Sequence, residues 1–214
     1  NGVWAVDCWA VKKSFKIRNI CNVKHISSAL LKGEKVGLVS DVIIDDELPY
    51  NILLGNSGTE RGIVVSPYLR DVYKYNLNLI PKCMAIGVGS RKGTDENALI
   101  ELFDEVFREN NIDRYSVYTM ATIDLKKNEK AIIKLREYLG IELRYYSTKE
   151  LNCISGEFSS SEFVKKVTGT DNVCERCAVL ASGFGKLVIK KTVGDGVTLA
   201  VGFNDTVGGI KFLQ

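Results

Sequence analysis

The stretch CMAIGVGSRKGT, residues Cys83 to Thr94, restricts the fold of this chain more than any other. Met84 to Val88 is an apolar run of strand length, and it leads into a glycine-rich turn (Gly87, Gly89, Gly93) with the basic pair Arg91 and Lys92 and then Thr94. Past Thr94, Ala98, Leu99, Leu102, Phe103, Val106 and Phe107 recur at the three-and-four spacing of one helix face. Thr94 is the expected N-cap, with Asp95 and Glu96 in the first turn. The segment therefore predicts strand, glycine loop, helix.

Such a loop favours an anion. Glycine allows close backbone approach, helix-start N–H groups point outward, and Arg91 and Lys92 add positive charge. Gly87, Gly89, Ser90, Arg91, Lys92, Gly93 and Thr94 are accordingly candidate ligand-binding residues. The letters match neither familiar phosphate motif: Lys92 stands where a dinucleotide fingerprint needs its third glycine, and Lys92-Gly93-Thr94 is the wrong order for a Walker loop. A plain structural turn stands beside the anion-binding reading.

The surrounding pattern extends the unit. A β-like run at Ser116–Thr122, a helix from about Asn128 to Leu139 stopped by Gly140, and a third strand at Glu142–Tyr146 complete a β-α-β-α-β series. Short helices are expected from Thr148, through Ser159–Ser161, and from Asp171 to Ala181. Leu187–Thr192 and Val197–Phe203 flank Gly194-Asp195-Gly196 as an antiparallel hairpin. The expected fold class is α/β, a layered α/β/α domain with a mixed sheet over 82–214, preceded by a smaller α/β region over 1–81. That first region shows helix-like spacing from Val3 to Val11, a helix from an Asn22 cap to Gly33, and β-like runs at Lys35–Val39, Val42–Ile44, Gly62–Val65 and Asn76–Ile80.

Composition excludes several classes. The chain is 45% hydrophobic and 26% charged, with no apolar stretch of membrane-spanning length. Its net charge of +3 comes from the first 82 residues, the remainder being balanced, and no Lys/Arg block exceeds two residues. Neither nucleic acid nor membrane is therefore an expected partner. Cys8, Cys21, Cys83, Cys153, Cys174 and Cys177, without a signal peptide, suit a reducing, cytoplasmic setting. The start at Asn1 rather than methionine suggests a piece of a longer protein.

Ligands of open α/β sheets bind beyond the carboxyl ends of the strands. There the sequence places Gly89, Ser90 and Arg91, then Thr122, Asp124 and Lys126, then Ser147 and Thr148. Asp124 is a candidate acid-base group, with helix capping as its plainer explanation. Glu175 and Asn172 lie at the start of the last helix. Capping accounts for Asn172, whereas Glu175 is left as a second candidate carboxylate. His25 is the only histidine, which removes a histidine triad or a multi-histidine metal site. Cys174-Glu175-Arg176-Cys177 has a CxxC spacing, but the other cysteines are scattered singly, so structural thiols are expected and no metal site.

Five ordered motifs resemble a known family: AIGVGSRKGT at 85–94, MATIDLKKNE at 120–129, LRYYSTKEL at 143–151, SEFVKKVTGTDNVCERCAVLAS at 161–182 and LVIKKTVGDGVTLAV at 187–201. They look like the carboxy-terminal domain of cobalamin-biosynthesis protein G. NGVWAVDCWA and ISSALLKGEKVGLVSD resemble that family's middle region. The resemblance implies a hydrolase of the anaerobic vitamin B12 pathway. It would act on a carbon–carbon bond, converting cobalt-precorrin-5A to cobalt-precorrin-5B with lactone opening and release of acetaldehyde. A non-catalytic module that holds or carries a corrinoid is the alternative. The family's amino-terminal domain would be absent from this chain. The expected partner is a tetrapyrrole carrying its own cobalt, so no cofactor is expected, and other enzymes of the pathway are possible partners. The expected division of labour makes Asp124 or Glu175 the base for an attacking water, while Lys126 or Arg91 offsets charge on oxygen. The glycine loop, Thr122 and Asn172 would bind substrate.

Overall fold

The computed structural model describes residues 5–55, 58–154 and 171–206. They divide into two compact units. The first holds residues up to Cys83 with Asn111–Ser116 and Asp205, and the second holds Met84–Asn110 and Val117–Asn204. The chain passes from the first unit to the second at 83/84, and Asn111–Ser116 packs with the first.

In the first unit, α1 (Val6–Lys12) and α2 (Val23–Leu31) accompany a five-stranded sheet. Its strands β1 (Lys16–Ile17), β2 (Val36–Ser40), β3 (Ile52–Leu54), β4 (Arg61–Val65) and β5 (Tyr75–Ile80) lie in the order β1-β5-β4-β2-β3. All neighbours are parallel except β1, which runs antiparallel along β5. The expected strand at Val42–Ile44 does not form: the Ser40 hydroxyl bonds both the N–H and the carbonyl of Val42, turning the chain out of the sheet. Ile52–Leu54 takes the neighbouring edge instead. Asn22 does not cap α2, because its amide donates to the Asn76 carbonyl at 2.9 Å. Asn111–Ser116 is fastened by Asp113, which receives Nε and Nη2 of Arg18 at 2.6 and 3.1 Å.

In the second unit, β6 (Met84–Ser90), β7 (Val117–Ile123), β8 (Glu142–Tyr146), β9 (Lys186–Val193) and β10 (Val197–Phe203) form a mixed sheet in the order β8-β7-β6-β10-β9. β6, β7 and β8 are parallel, and the β9–β10 hairpin adds antiparallel to β6. The expected mixed α/β architecture and terminal hairpin are therefore both present. Among the described residues the helices are α3 (Ala98–Glu109), α4 (Lys130–Leu139), α5 (Thr148–Asn152) and α6 (Val173–Ala181). Gly140 ends α4 in the left-handed conformation, φ 63°, and Ser147 with Glu150 makes a capping box on α5. The helix expected through Ser159–Ser161 lies outside the described residues, as do Val3 and Trp4.

Strand alternation sorts the two faces. Ala85, Ala121 and Ile123 pack with Val173, Cys177 and Ala181 of α6, while Ala200 packs with Cys174 and Ala178. Ile86, Val88, Leu199 and Val201 point the other way, are also buried, and require cover from α3 and α4, which pack on each other and on β10 and β6.

The helix after the glycine loop starts at Ala98, not directly after Thr94. Thr94 is not its N-cap: its hydroxyl donates to the Arg91 carbonyl at 2.9 Å and lies 3.3 Å from the Gly196 carbonyl, so the loop is tied to the hairpin turn. Asp95 accepts the Asn97 N–H at 2.8 Å in an intervening turn.

Candidate functional site

Beyond the carboxyl ends of β6 and β7, the second unit has a cleft of about 860 Å³. Three structural features bound it. Gly89, Ser90, Arg91 and Lys92 come from the glycine loop, Asn172, Val173 and Cys174 from the start of α6, and Lys191 and residues 193–198 from the hairpin. Ile123 and Lys126 complete the lining from the end of β7. Among the described residues four side chains of the lining are cationic, Arg91, Lys92, Lys126 and Lys191, against a single carboxylate, Asp195. The N–H groups that open α6 strengthen the positive potential at that wall.

The expected binding residues separate into three groups. Gly89, Ser90, Arg91, Lys92 and Asn172 line the cleft, as does Lys126, the expected catalytic cation. Gly93 and Thr94 do not; they line a separate depression of about 530 Å³ with Asp95, Glu96 and the start of α4. The backbone N–H of Arg91 is already donated to Gly196, at 2.8 Å, so the loop offers side-chain charge more than a cradle of amides.

Gly87 and Thr122 do other work. A Cβ on Gly87 would sit 1.8 Å from the Cys174 carbonyl oxygen, so this glycine serves the close seating of α6 rather than a ligand. Gly202 of the neighbouring strand β10 has the same role against the Ala178 carbonyl. Thr122 is fully buried, and its hydroxyl donates to the Val88 carbonyl at 2.9 Å, pinning β7 to β6.

Of the two expected bases, Glu175 is excluded from the solvent side. It is fully buried, one carboxylate oxygen accepting the Asn172 amide and the other accepting the Lys191 backbone N–H at 2.7 Å. Its position in the first turn of α6 made it look accessible, and only the seating of that helix on the sheet hides it. Asp124 begins a 3₁₀ turn, Asp124–Lys126, and is half-buried. It falls between Ile123 and Lys126 of the cleft wall without lining the cleft itself. Lys126 lies 3.4 Å from a Glu129 carboxylate oxygen.

Asn172 is almost wholly buried and held at φ 45°, a left-handed conformation that asparagine tolerates better than most residues. Its side chain does not cap α6; it bonds Glu175 and accepts from the Cys174 thiol at 3.5 Å. Burial pushes the Cys174 thiol up to about 11, against the pull of a hydrogen bond with Thr198 and the nearby charge of Lys191. Burial raises Cys177 well above the ordinary thiol range as well. Both cysteines of the CxxC thus pack between helix and sheet as neutral thiols. Among the described residues no cluster of three or more His, Cys, Asp or Glu could hold a metal ion, and no helix is long and apolar enough to cross a membrane.

Sequence reasoning missed Lys191 and Thr198. The available signal was Lys190-Lys191 ahead of the Gly194-Asp195-Gly196 turn, which mattered only once β10 was known to pair with β6.

Comparison with known proteins gives concordant matches. The model described as Cobalamin synthesis G C-terminus matches residues 84–202, and that described as Cobalamin biosynthesis central region matches 4–81. A protein named cobalt-precorrin-5A hydrolase from Priestia megaterium is 29% identical over 199 residues, covering 84% of this chain and 53% of its own length. One of the same name from Salmonella typhimurium is 23% identical, covering 94% and 61%. The crystal structure of CobE, a protein from the cobalamin biosynthetic pathway, aligns at a TM-score of 0.52 with 25% identity, covering 58% of this chain and 92% of that one. The chain spans about half to three-fifths of the length of these curated hydrolase relatives.

Proposed function

The chain belongs to the cobalamin synthesis G family, and on that premise we propose that it works within a cobalt-precorrin-5A hydrolase. The reaction consumes one water, opens the lactone of a cobalt-containing corrinoid precursor and expels a two-carbon fragment as acetaldehyde. The observation that carries the reading is the charge of the cleft: among the described residues four cations and one carboxylate line a volume of about 860 Å³, inside the roughly 300–1,000 Å³ range of small-molecule sites. A corrinoid precursor carries acetate and propionate carboxylates around its rim, and Arg91, Lys92 and Lys126 are placed to pair with them.

Asp124 is the base in this reading, since Glu175 is enclosed and Asp124 retains partial access beside the cleft wall. Lys126, two residues on, is the cation placed to offset charge developing on the lactone oxygen. Cobalt travels with the substrate.

The test is acetaldehyde release from cobalt-precorrin-5A by the 214-residue chain, with a full-length relative as positive control. Release supports the hydrolytic reading. Tight binding of the substrate without release would leave this chain the holding component of the enzyme, and neither binding nor release would overturn the proposal.

A further inference from the structure

The hairpin contains an irregularity at the cleft. Along β10, Leu199 pairs with Thr192 and Val201 with Ile189, so Lys190 and Lys191 together stand opposite the single residue Ala200. Such a bulge withdraws a residue from the ladder and re-aims its side chain. The N–H released is that of Lys191, and it is taken by the buried carboxylate of Glu175 at 2.7 Å. The other oxygen of the same carboxylate holds Asn172, whose backbone is left-handed and which also lines the cleft. One enclosed carboxylate therefore fixes both the hairpin strand and the entrance to α6. Lys191 itself lines the cleft, and its charge is felt at Cys174 on the cleft wall.

We propose that Lys191 is a substrate-recognising cation, aimed into the cleft by the Lys190–Lys191 bulge, that pairs with a peripheral carboxylate of the corrinoid, and that Glu175 is the positioning residue that locks the bulge. This rests on the corrinoid-binding reading above and adds the residues that set its specificity. A carboxylate buried to this degree is costly unless its oxygens are satisfied. Two of the groups that satisfy it, the Asn172 amide and the Lys191 N–H, belong to residues of the cleft wall. Lys190, beside it on the bulge, is exposed and does not line the cleft.

The test measures binding of cobyrinic acid, a corrinoid polycarboxylate, by the 214-residue chain, with cobinamide, whose side chains are amidated, for comparison. Lys191→Gln keeps the backbone N–H for Glu175 and removes only the charge. It is expected to weaken cobyrinic acid binding about tenfold, to leave cobinamide binding unchanged, and to lessen the salt dependence. Lys191→Arg is expected to restore most of the affinity, and Lys190→Gln to have no effect. For Glu175, the Gln variant keeps one acceptor, for the Lys191 N–H, but sets its NH2 against the Asn172 amide, so it is expected to lose part of the affinity, whereas Glu175→Ala, which holds neither group, should lose as much as Lys191→Gln. Should the alanine variant fail to fold, hydrogen exchange reads the same contact in the wild type: the Lys191 amide should be protected although it lies outside the ladder.

Equal cobyrinic acid affinity for wild type and Lys191→Gln would overturn this inference and leave the corrinoid reading standing. A Lys191 amide that exchanges freely would overturn the locking role of Glu175. Failure of the wild-type chain to bind either corrinoid would overturn the corrinoid reading and this inference with it.

Discussion

Gly87 of β6 lies directly beneath Cys174 of α6, so close that an added Cβ would come within 1.8 Å of the Cys174 carbonyl oxygen and 2.6 Å of the Ala178 nitrogen. Backbone on both sides leaves no flexible side chain to yield. Gly87→Ala should therefore lift the amino-terminal half of α6 from the sheet, at a cost of about 1–3 kcal/mol for overpacking. Urea unfolding of the variant against wild type measures the cost. Because Asn172 and Cys174 move with the helix, binding at the cleft should weaken as well. A fully stable alanine variant would show that α6 seats less closely than described.

The two candidate bases make opposite predictions. Glu175→Gln should keep kcat at saturating substrate and show its effect in KM, because the enclosed carboxylate positions its neighbours and does not touch substrate. Asp124→Asn should lower kcat by about 10²-fold or more, the usual contribution of a general base. The readout is steady-state acetaldehyde release. Loss of turnover in Glu175→Gln with affinity intact would return the base role to Glu175.

Acid should weaken the first unit through Asp113. Burial by itself would raise this carboxyl, but Arg18 in a two-pronged contact and the Tyr115 N–H hold it below the ordinary carboxylate range. A folded-state pKa below the unfolded value of about 3.9 means stability that is present above about pH 4 and is lost as pH falls through the folded value. Asp113→Asn should cost about 1–2 kcal/mol near neutrality, toward the low end for a charged hydrogen bond because the Arg18 side chain is 41% exposed. The gap between variant and wild type should close as pH falls below about 4. Urea unfolding across a pH series checks this; a gap independent of pH would contradict it.

Thiol reactivity should divide by burial. Cys8, Cys21 and Cys153 are exposed, whereas Cys83, Cys174 and Cys177 are buried with thiols raised by desolvation. Iodoacetamide under mildly alkaline conditions on the folded protein should label the first three and spare the others, as read by peptide mass spectrometry. Labelling of Cys174 at a comparable rate would show that the wall of the cleft opens.

Much of the second unit can be read in its letters, because local rules decided it. Six apolar positions at helical spacing made α3, Gly140 ended α4 in the left-handed conformation that glycine adopts freely, and the Gly194-Asp195-Gly196 turn made the hairpin. The excess of Arg and Lys around the glycine loop was visible for the same reason. The sequence could not say what each glycine was for. Gly87 and Gly89 lie on the same face of β6, yet the seating of α6 over Gly87 makes it a packing contact, while Gly89, one pair of residues on, lines the cleft.

Residues distant in sequence had to be brought together before their roles diverged. Thr94 looked like a helix cap until the hairpin supplied Gly196 as a competing acceptor, and Glu175 looked like a base until α6 and β9 closed over it. Lys191 gained its place in the cleft from a bulge opposite Ala200, a register detail of β10 that no local spacing encodes. For the second unit the sequence by itself determined the main strands and helices, their order and the positive character of the loop, since these depend on propensity and periodicity within one segment. In the first unit it misplaced the edge strand, which formed at Ile52–Leu54 and not at Val42–Ile44. The tertiary structure alone decided which polar groups face the cleft and which hold it together, since that depends on partners far away in the chain.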